Sequence, residues 1–344
     1  MAAHLKEQGM SRYANSTMII KSIVMLSMLI VPLIVIISGV VESVPMLFLL
    51  YIISGFGSAG VGMGVMHDAI HGSYSSNRRV NKWLGYTMNL IGANDEIWRM
   101  QHNVLHHTYT NIEEHDDDLN APSFLRFSPH SPWRRIHGFQ HLYSWIFYGL
   151  STLSWITTKD FIRLKRYYDK GLVGEKKTFR FQLFRIIFWK LIYFTYVLIL
   201  PLVFAPFPFW IVLLAFAASH FVTGLSITMV FQTAHVMPET DFPLPNDNGE
   251  IESERLIHQM ATTTNYAPKS RIFSWLIGGL NYQIEHHLFP NICHVHYREI
   301  APIVQKTAHE FGVPYLNQAT FLDAVKSHYE MLRQLGRAEA LPAN

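Results

Sequence analysis

The sequence predicts an all-α integral membrane protein: four transmembrane helices in two hairpins, with a cytoplasmic helical cap holding a di-metal site. Three observations carry this expectation. Of 344 residues, 49% are hydrophobic and 15% charged, where ordinary globular chains carry roughly 25% charged residues. The charges leave three long gaps along the chain. Nineteen histidines stand against 25 carboxylates, and several cluster beside those gaps.

The same figures exclude other classes. A disordered chain would be poor in apolar residues and rich in charge. A single cysteine, Cys293, rules out a disulfide framework, a four-cysteine zinc site and a cysteine-ligated iron–sulfur cluster. A net charge of +3 is too small to indicate nucleic-acid binding.

Residues 22–41 and 43–66 are uncharged apart from Glu42 between them, and no charge occurs between Lys190 and Glu239. About 20 apolar residues cross a bilayer core of roughly 30 Å, so each block holds two spans. These are expected at residues 20–41, 45–66, 184–204 and 209–231. The first pair turns at Glu42–Pro45. The second turns at Ala205–Pro208, whose prolines stop a helix. Helices are required because an unpaired backbone is too costly in lipid.

Lys and Arg set the orientation. Both short turns contain none, the N-terminal region holds three, the segment Arg78–Lys190 holds 17 and the tail holds eight. Both termini and the segments 67–183 and 232–344 are therefore expected on the cytoplasmic side. Residues 136–158 are also uncharged, but a span there would place the nine cations from Lys159 to Arg185 outside. Their Trp, Tyr, His and Ser content suits a helix lying at the interface. No small-residue cleavage pattern follows the first apolar run, so no signal peptide is expected.

The histidines fall into groups: His67 and His71; His102, His106 and His107; His286 and His287 after Gln283; and a lone His235. On an α-helix, residues four apart share a face, so His67 with His71 and His102 with His106 can each grip one ion. An adjacent residue such as His107 points about 100° away, toward a second ion. A lone histidine like His235 at a membrane edge is more often a satisfied polar residue than a ligand. Three clusters at one side of the membrane are harder to ascribe to chance, and eight imidazoles exceed what one ion holds. Imidazoles suit Zn, Cu, Fe or Ni, and a pair of irons is the choice that activates O2. Asp68 and Glu285 are candidates for orienting imidazoles through their free N–H groups, or else solvated residues.

From about Gly55 to Pro314 the chain resembles the membrane fatty acid desaturases. His67–Gly72 looks like the family's first histidine box, His102–His107 its second and Gln283–Pro290 its third. The glutamine opening the third box is similar to front-end acyl desaturases, which place a double bond between an existing one and the carboxyl end. Phe231–His235 and Thr262–Asn265 look most like the bacterial linoleoyl-CoA desaturase-like branch. The resemblance implies a single desaturase domain over residues 1–344. It implies two irons held by His67, His71, His102, His106, His107, His235, His286 and His287, with Gln283 a weaker or water-mediated ligand. It also implies O2 as co-substrate and a fatty acyl-CoA or acyl-lipid substrate reached from the bilayer. About 66 residues precede the first box and no His-Pro-Gly-Gly haem signature occurs. Electrons are therefore expected from a separate carrier of ferredoxin or cytochrome b5 type.

Other features are less specific. Trp98 is a candidate tunnel wall, though core packing is the commoner role. Arg78, Arg79 and Lys82 are candidates for coenzyme A or headgroup phosphates, against a plainer reading as positive-inside charge. The acidic run Glu113–Asp118 resembles a metal-binding or donor-docking loop, against the commoner reading as solvated surface. His220, midway along the fourth span, is expected to hydrogen-bond within the bundle or line the cavity. The tail shows helical spacing and is expected to pack as a cap. A hydroxylase on the same metals is the second enzyme reading. A metal transporter would need ligands near mid-membrane on broken helices, and a haem carrier would need paired histidines within the spans.

Overall fold

The computed structural model describes residue 5 and residues 7–338. It is mostly helical, with a single two-residue parallel strand pair among the described residues, Asn265–Tyr266 against Asn317–Gln318. Four helices are long and apolar enough to cross a membrane: Ser16–Ile37, Val44–Ile70, Lys176–Phe204 and Phe209–His235. The expected all-α architecture with four spans is thus present. The helices overrun the charge-free windows because a charged residue ends a hydropathy window without ending a helix. Lys21 lies inside the first helix and is buried, and Lys176–Arg185 form the opening turns of the third. Residues 136–158 are almost wholly helical, within Arg135–Phe139, Gln140–Ser154 and Trp155–Lys159, and are not among the four membrane-length helices.

The chain forms two compact units. One contains residues 16–100 and 146–228. Its core joins Leu33, Ile36, Leu47 and Tyr51 of the first hairpin to Tyr193, Val197, Val212 and Phe216 of the second. Small residues allow close helix approach: a Cβ on Gly57 would meet the backbone nitrogen of Leu29 at 2.3 Å, the tight contact that packs helices where no hydrophobic force drives them together. Ser54 donates to the Leu29 carbonyl at 2.9 Å, and Tyr51 to that of Val197 at 2.8 Å. His220 sits between the Tyr193 hydroxyl at 2.6 Å and the Thr152 hydroxyl at 3.1 Å, so it hydrogen-bonds within the bundle.

Two ion pairs hold the residues around helix Asp95–Arg99 within this unit. Asp160 meets Lys190 at 2.8 Å, both buried, and Asp95 meets Arg185 at 2.8 Å. Asp160 also accepts the N–H of Asn94 at 3.1 Å. Asn94 in turn caps helix Asp95–Arg99, its side chain accepting from Glu96 and Ile97, as short polar residues do at helix starts.

The other unit contains residues 101–145 and 229–344 together with the N-terminal 15. Its C-terminal helices, Tyr297–Glu310 and Phe321–Leu335, show the helical spacing expected of the tail. Ile284, fully buried with Met260, Val304 and Ala308, anchors helix Gln283–Leu288. Asn265, set by the strand pair, grips that helix twice: it accepts from the Ile284 N–H at 2.9 Å and donates to Glu285 at 2.8 Å.

Candidate metal centre

Six imidazoles converge in the second unit: His102, His106, His107, His235, His286 and His287, all buried. The second box departs from the expected α-helical reading. Met100–His106 is wound as a π-helix, whose bonds run from residue i to i+5. Residues five apart therefore share a face, and Nε2 of His102 lies 3.2 Å from Nε2 of His107. His107 joins His102 rather than turning away from it, and its Nε2 lies 3.0 Å from that of His286. His106 also stays beside His102, their rings stacked with centroids 5.4 Å apart, and it meets further partners. The ligand atoms of His106, His235 and His287 lie within 4.8 Å of one another, as do those of His107, His286 and His287.

Each of four rings is held through Nδ1. His106 meets both Asp116 oxygens at 3.1 Å, and His235 meets the Thr262 carbonyl at 3.1 Å. His286 meets the Tyr297 hydroxyl at 3.3 Å, and His287 meets Gln259 Oε1 at 2.7 Å. Holding Nδ1 fixes the ring and leaves Nε2 as the inward donor, the usual support of a metal-bound histidine. Nε2 of His106 and of His287 is buried without a hydrogen-bond partner. A buried orphan nitrogen is costly, and a cation among these donors removes that cost. Two imidazoles on one ion stand roughly 3–4 Å apart when each bond is about 2 Å, so the spacing and the donor type fit metal ions.

Electrostatics differ across the cluster. Burial lowers the His106 pKa, but the carboxylates of Asp116 and Asp118 outweigh it and hold it up at about 9. His287 is pushed well below its ordinary value by burial and by the imidazoles around it, so it stays a neutral donor.

Solvated surface was the commoner of the two readings of the acidic run, yet Asp116 and Asp117 are buried. Asp116 is sequestered because it serves His106 and also accepts the backbone N–H groups of Asn111 and Asp118 at 2.9 Å each. Asn111 adopts φ 60°, a left-handed conformation that asparagine tolerates. That turn lets its side chain donate to the His235 and Asp241 carbonyls at 2.9 and 3.0 Å. Sequence reasoning also missed Gln259, Tyr297 and the Thr262 carbonyl, none of which carries a local signal. Glu285 takes partners other than an imidazole: it accepts from Tyr315 and Asn265, both at 2.8 Å, and burial raises its carboxyl to about 7. Gln283 opens its helix and is fully buried.

The first box lies in the membrane unit. A π-turn, Val61–Met66, ends at His67, whose ring centroid is 4.8 Å from that of His71 and 5.7 Å from that of Trp98. Asp68 is buried, with an oxygen 3.6 Å from His67 Nδ1. Trp98 packs with Met66, Met88 and Ala93. Arg78, Arg79 and Lys82 are exposed on helix Arg78–Gly85, beside Trp83, which is 72% exposed.

Four membrane-length helices and buried, braced imidazoles define a helical membrane protein with a histidine-rich metal centre. The fatty acid desaturase family model matches residues 43–319, and the chain belongs to that family. It is 34% identical over 335 residues to the sn-1 linoleoyl-lipid 6-desaturase of Arthrospira platensis, covering 97% of this chain and 89% of the relative. It is 34% identical over 340 residues to the protein of the same name from Synechocystis, covering 98% and 93%. It is 38% identical over 290 residues to the acyl-lipid (8-3)-desaturase of Physcomitrium patens, covering 83% of this chain but only 59% of that relative. The expectation of a membrane acyl desaturase is borne out at this level.

Proposed function

We propose that the chain is a front-end desaturase that places a cis double bond in an unsaturated acyl chain while that chain is esterified to a membrane lipid. The carrying observation is the cluster of buried imidazoles with Nδ1 held outward and Nε2 left inward. The relatives' names support a lipid-linked chain over a coenzyme A thioester, and the glutamine opening the third box supports the front-end position.

Two irons are the proposed occupants, held by His102, His106, His107, His235, His286 and His287, and by His67 and His71 through the first-box pattern. Gln283 is a proposed weaker ligand. When bound, the irons would supply the oxygen activation that an unactivated C–H bond demands, with two external electrons, because no side chain can attack such a bond. The residues do the rest. Asp116, Gln259, Thr262 and Tyr297 fix the rings, and burial excludes water from the centre. Trp98 walls the acyl path beside His67. Arg78, Arg79 and Lys82 meet headgroup phosphates. The termini and the centre face the cytoplasm, where a separate carrier of ferredoxin or cytochrome b5 type delivers electrons.

The test is expression in a host without polyunsaturated lipids, with linoleate supplied and lipid-bound acyl chains identified by mass spectrometry. A third double bond on the carboxyl side of the existing two is expected. A hydroxylated chain, or unchanged linoleate in a strain with a competent electron donor, overturns the proposal.

A further inference from the structure

We propose that Gln259 is the positioning residue that sets the tautomer of His287, and so makes its Nε2 a metal donor; this rests on the metal-centre reading above. Gln259 lies on helix Arg255–Ala261 and is 1% exposed. Its amide can sit only one way round. Nε2 of Gln259 faces the His107 carbonyl at 3.2 Å, and a carbonyl only accepts, so the amide nitrogen must be on that side. Oε1 then faces His287 Nδ1 at 2.7 Å. An amide oxygen only accepts as well, so Nδ1 of His287 must carry the ring proton. In a neutral imidazole the other nitrogen then bears the lone pair, and that nitrogen, Nε2, is one of the buried orphans of the cluster, with those of His106 and His235.

The chain of constraint runs from one histidine of the second box to one of the third. The backbone of His107 orients the amide, and the amide orients the ring of His287. Thr110 adds a donor here: its single hydroxyl proton is shared between the His106 carbonyl at 2.8 Å and Gln259 Oε1 at 3.0 Å, and its oxygen lies 3.4 Å from His287 Nδ1, farther than Gln259 Oε1. A neutral amide in this place differs from the carboxylate behind His106. It fixes the proton without adding charge, so His287 is the less electron-rich of the two donors.

The test loads the metal-free full-length protein in detergent with Co2+ alone, reading affinity and the visible ligand-field bands. Gln259→Leu removes the acceptor at similar volume, and Gln259→Glu keeps an acceptor oxygen. The expected result is a 10–100-fold loss of Co2+ affinity in the leucine variant, the usual range for removing such a support, with shifted bands. The glutamate variant, which keeps the acceptor toward His287 but loses the donor to the His107 carbonyl, loses less than the leucine variant. Unchanged affinity and bands in a folded leucine variant overturn the proposal. If the leucine variant does not fold, unchanged affinity and bands in a folded Gln259→Met variant, which also removes the acceptor, overturn it too. Wild-type protein that takes up no Co2+ overturns the metal-centre reading, and this role for Gln259 with it.

Discussion

Asp116 places both carboxylate oxygens 3.1 Å from Nδ1 of His106, although the commoner sequence reading of the acidic run around Asp116 is solvated surface. The carboxylate orients the ring and raises its basicity as a ligand. Asp116→Ala is expected to lower metal affinity 10–100-fold. Asp116→Asn should lose less, because its amide oxygen still accepts. Metal per chain, titrated against a chelator, checks this; equal affinity in the alanine variant contradicts it.

His102 and His286 each lie against His107, one through the wide turn of the second box and the other from the third box. Replacing either with alanine is expected to abolish product formation and to cut bound iron by half or more. Iron and zinc are to be counted together, since an overexpressed imidazole site also fills with zinc. Wild-type product yield in either variant refutes the ligand assignment.

The buried pair Asp160–Lys190 makes a stability prediction. Lys190→Met leaves the carboxylate without its cation and is expected to cost about 3–5 kcal/mol. The double variant with Asp160→Asn should recover much of that loss, because a buried pair replaced as a whole is often near neutral. Thermal unfolding in detergent reads both. A single variant as stable as wild type removes any structural role for the pair.

His328 is fully buried, with Nδ1 2.8 Å from the Val236 carbonyl, and burial lowers its pKa to about 4. An unfolded chain would titrate it near 6.5. Its contribution is therefore complete above pH 6.5 and lost as pH falls from 6.5 to 4, a change on the order of 3 kcal/mol. His328→Gln, which keeps an N–H donor but does not titrate, should flatten the stability profile across that window. Chemical denaturation at a series of pH values checks it; a profile parallel to wild type counts against it.

The spans were legible because a bilayer demands long runs without charge, and Ser43–Met66 meets that demand by composition alone. The histidine boxes were legible because the ligands are local in sequence. The winding of Met100–His106 was not, since nothing in its residues distinguishes i→i+5 from i→i+4 bonding. The acidic run left two readings open, because such a run is usually hydrated and the burial of Asp116 depends on contacts with His106 and Asn111. Gln259 and Tyr297 reach the centre from helices that sequence distance does not connect to it.

The wide turn at Met100–His106 has a consequence for how such a box tolerates change. Ordinary α-winding would rotate His107 out of register with His102 even if every residue of the box were retained. A motif of correct letters is therefore insufficient: the backbone pitch is itself part of the code. One residue deleted or added within the turn should erase the centre as surely as replacing a histidine.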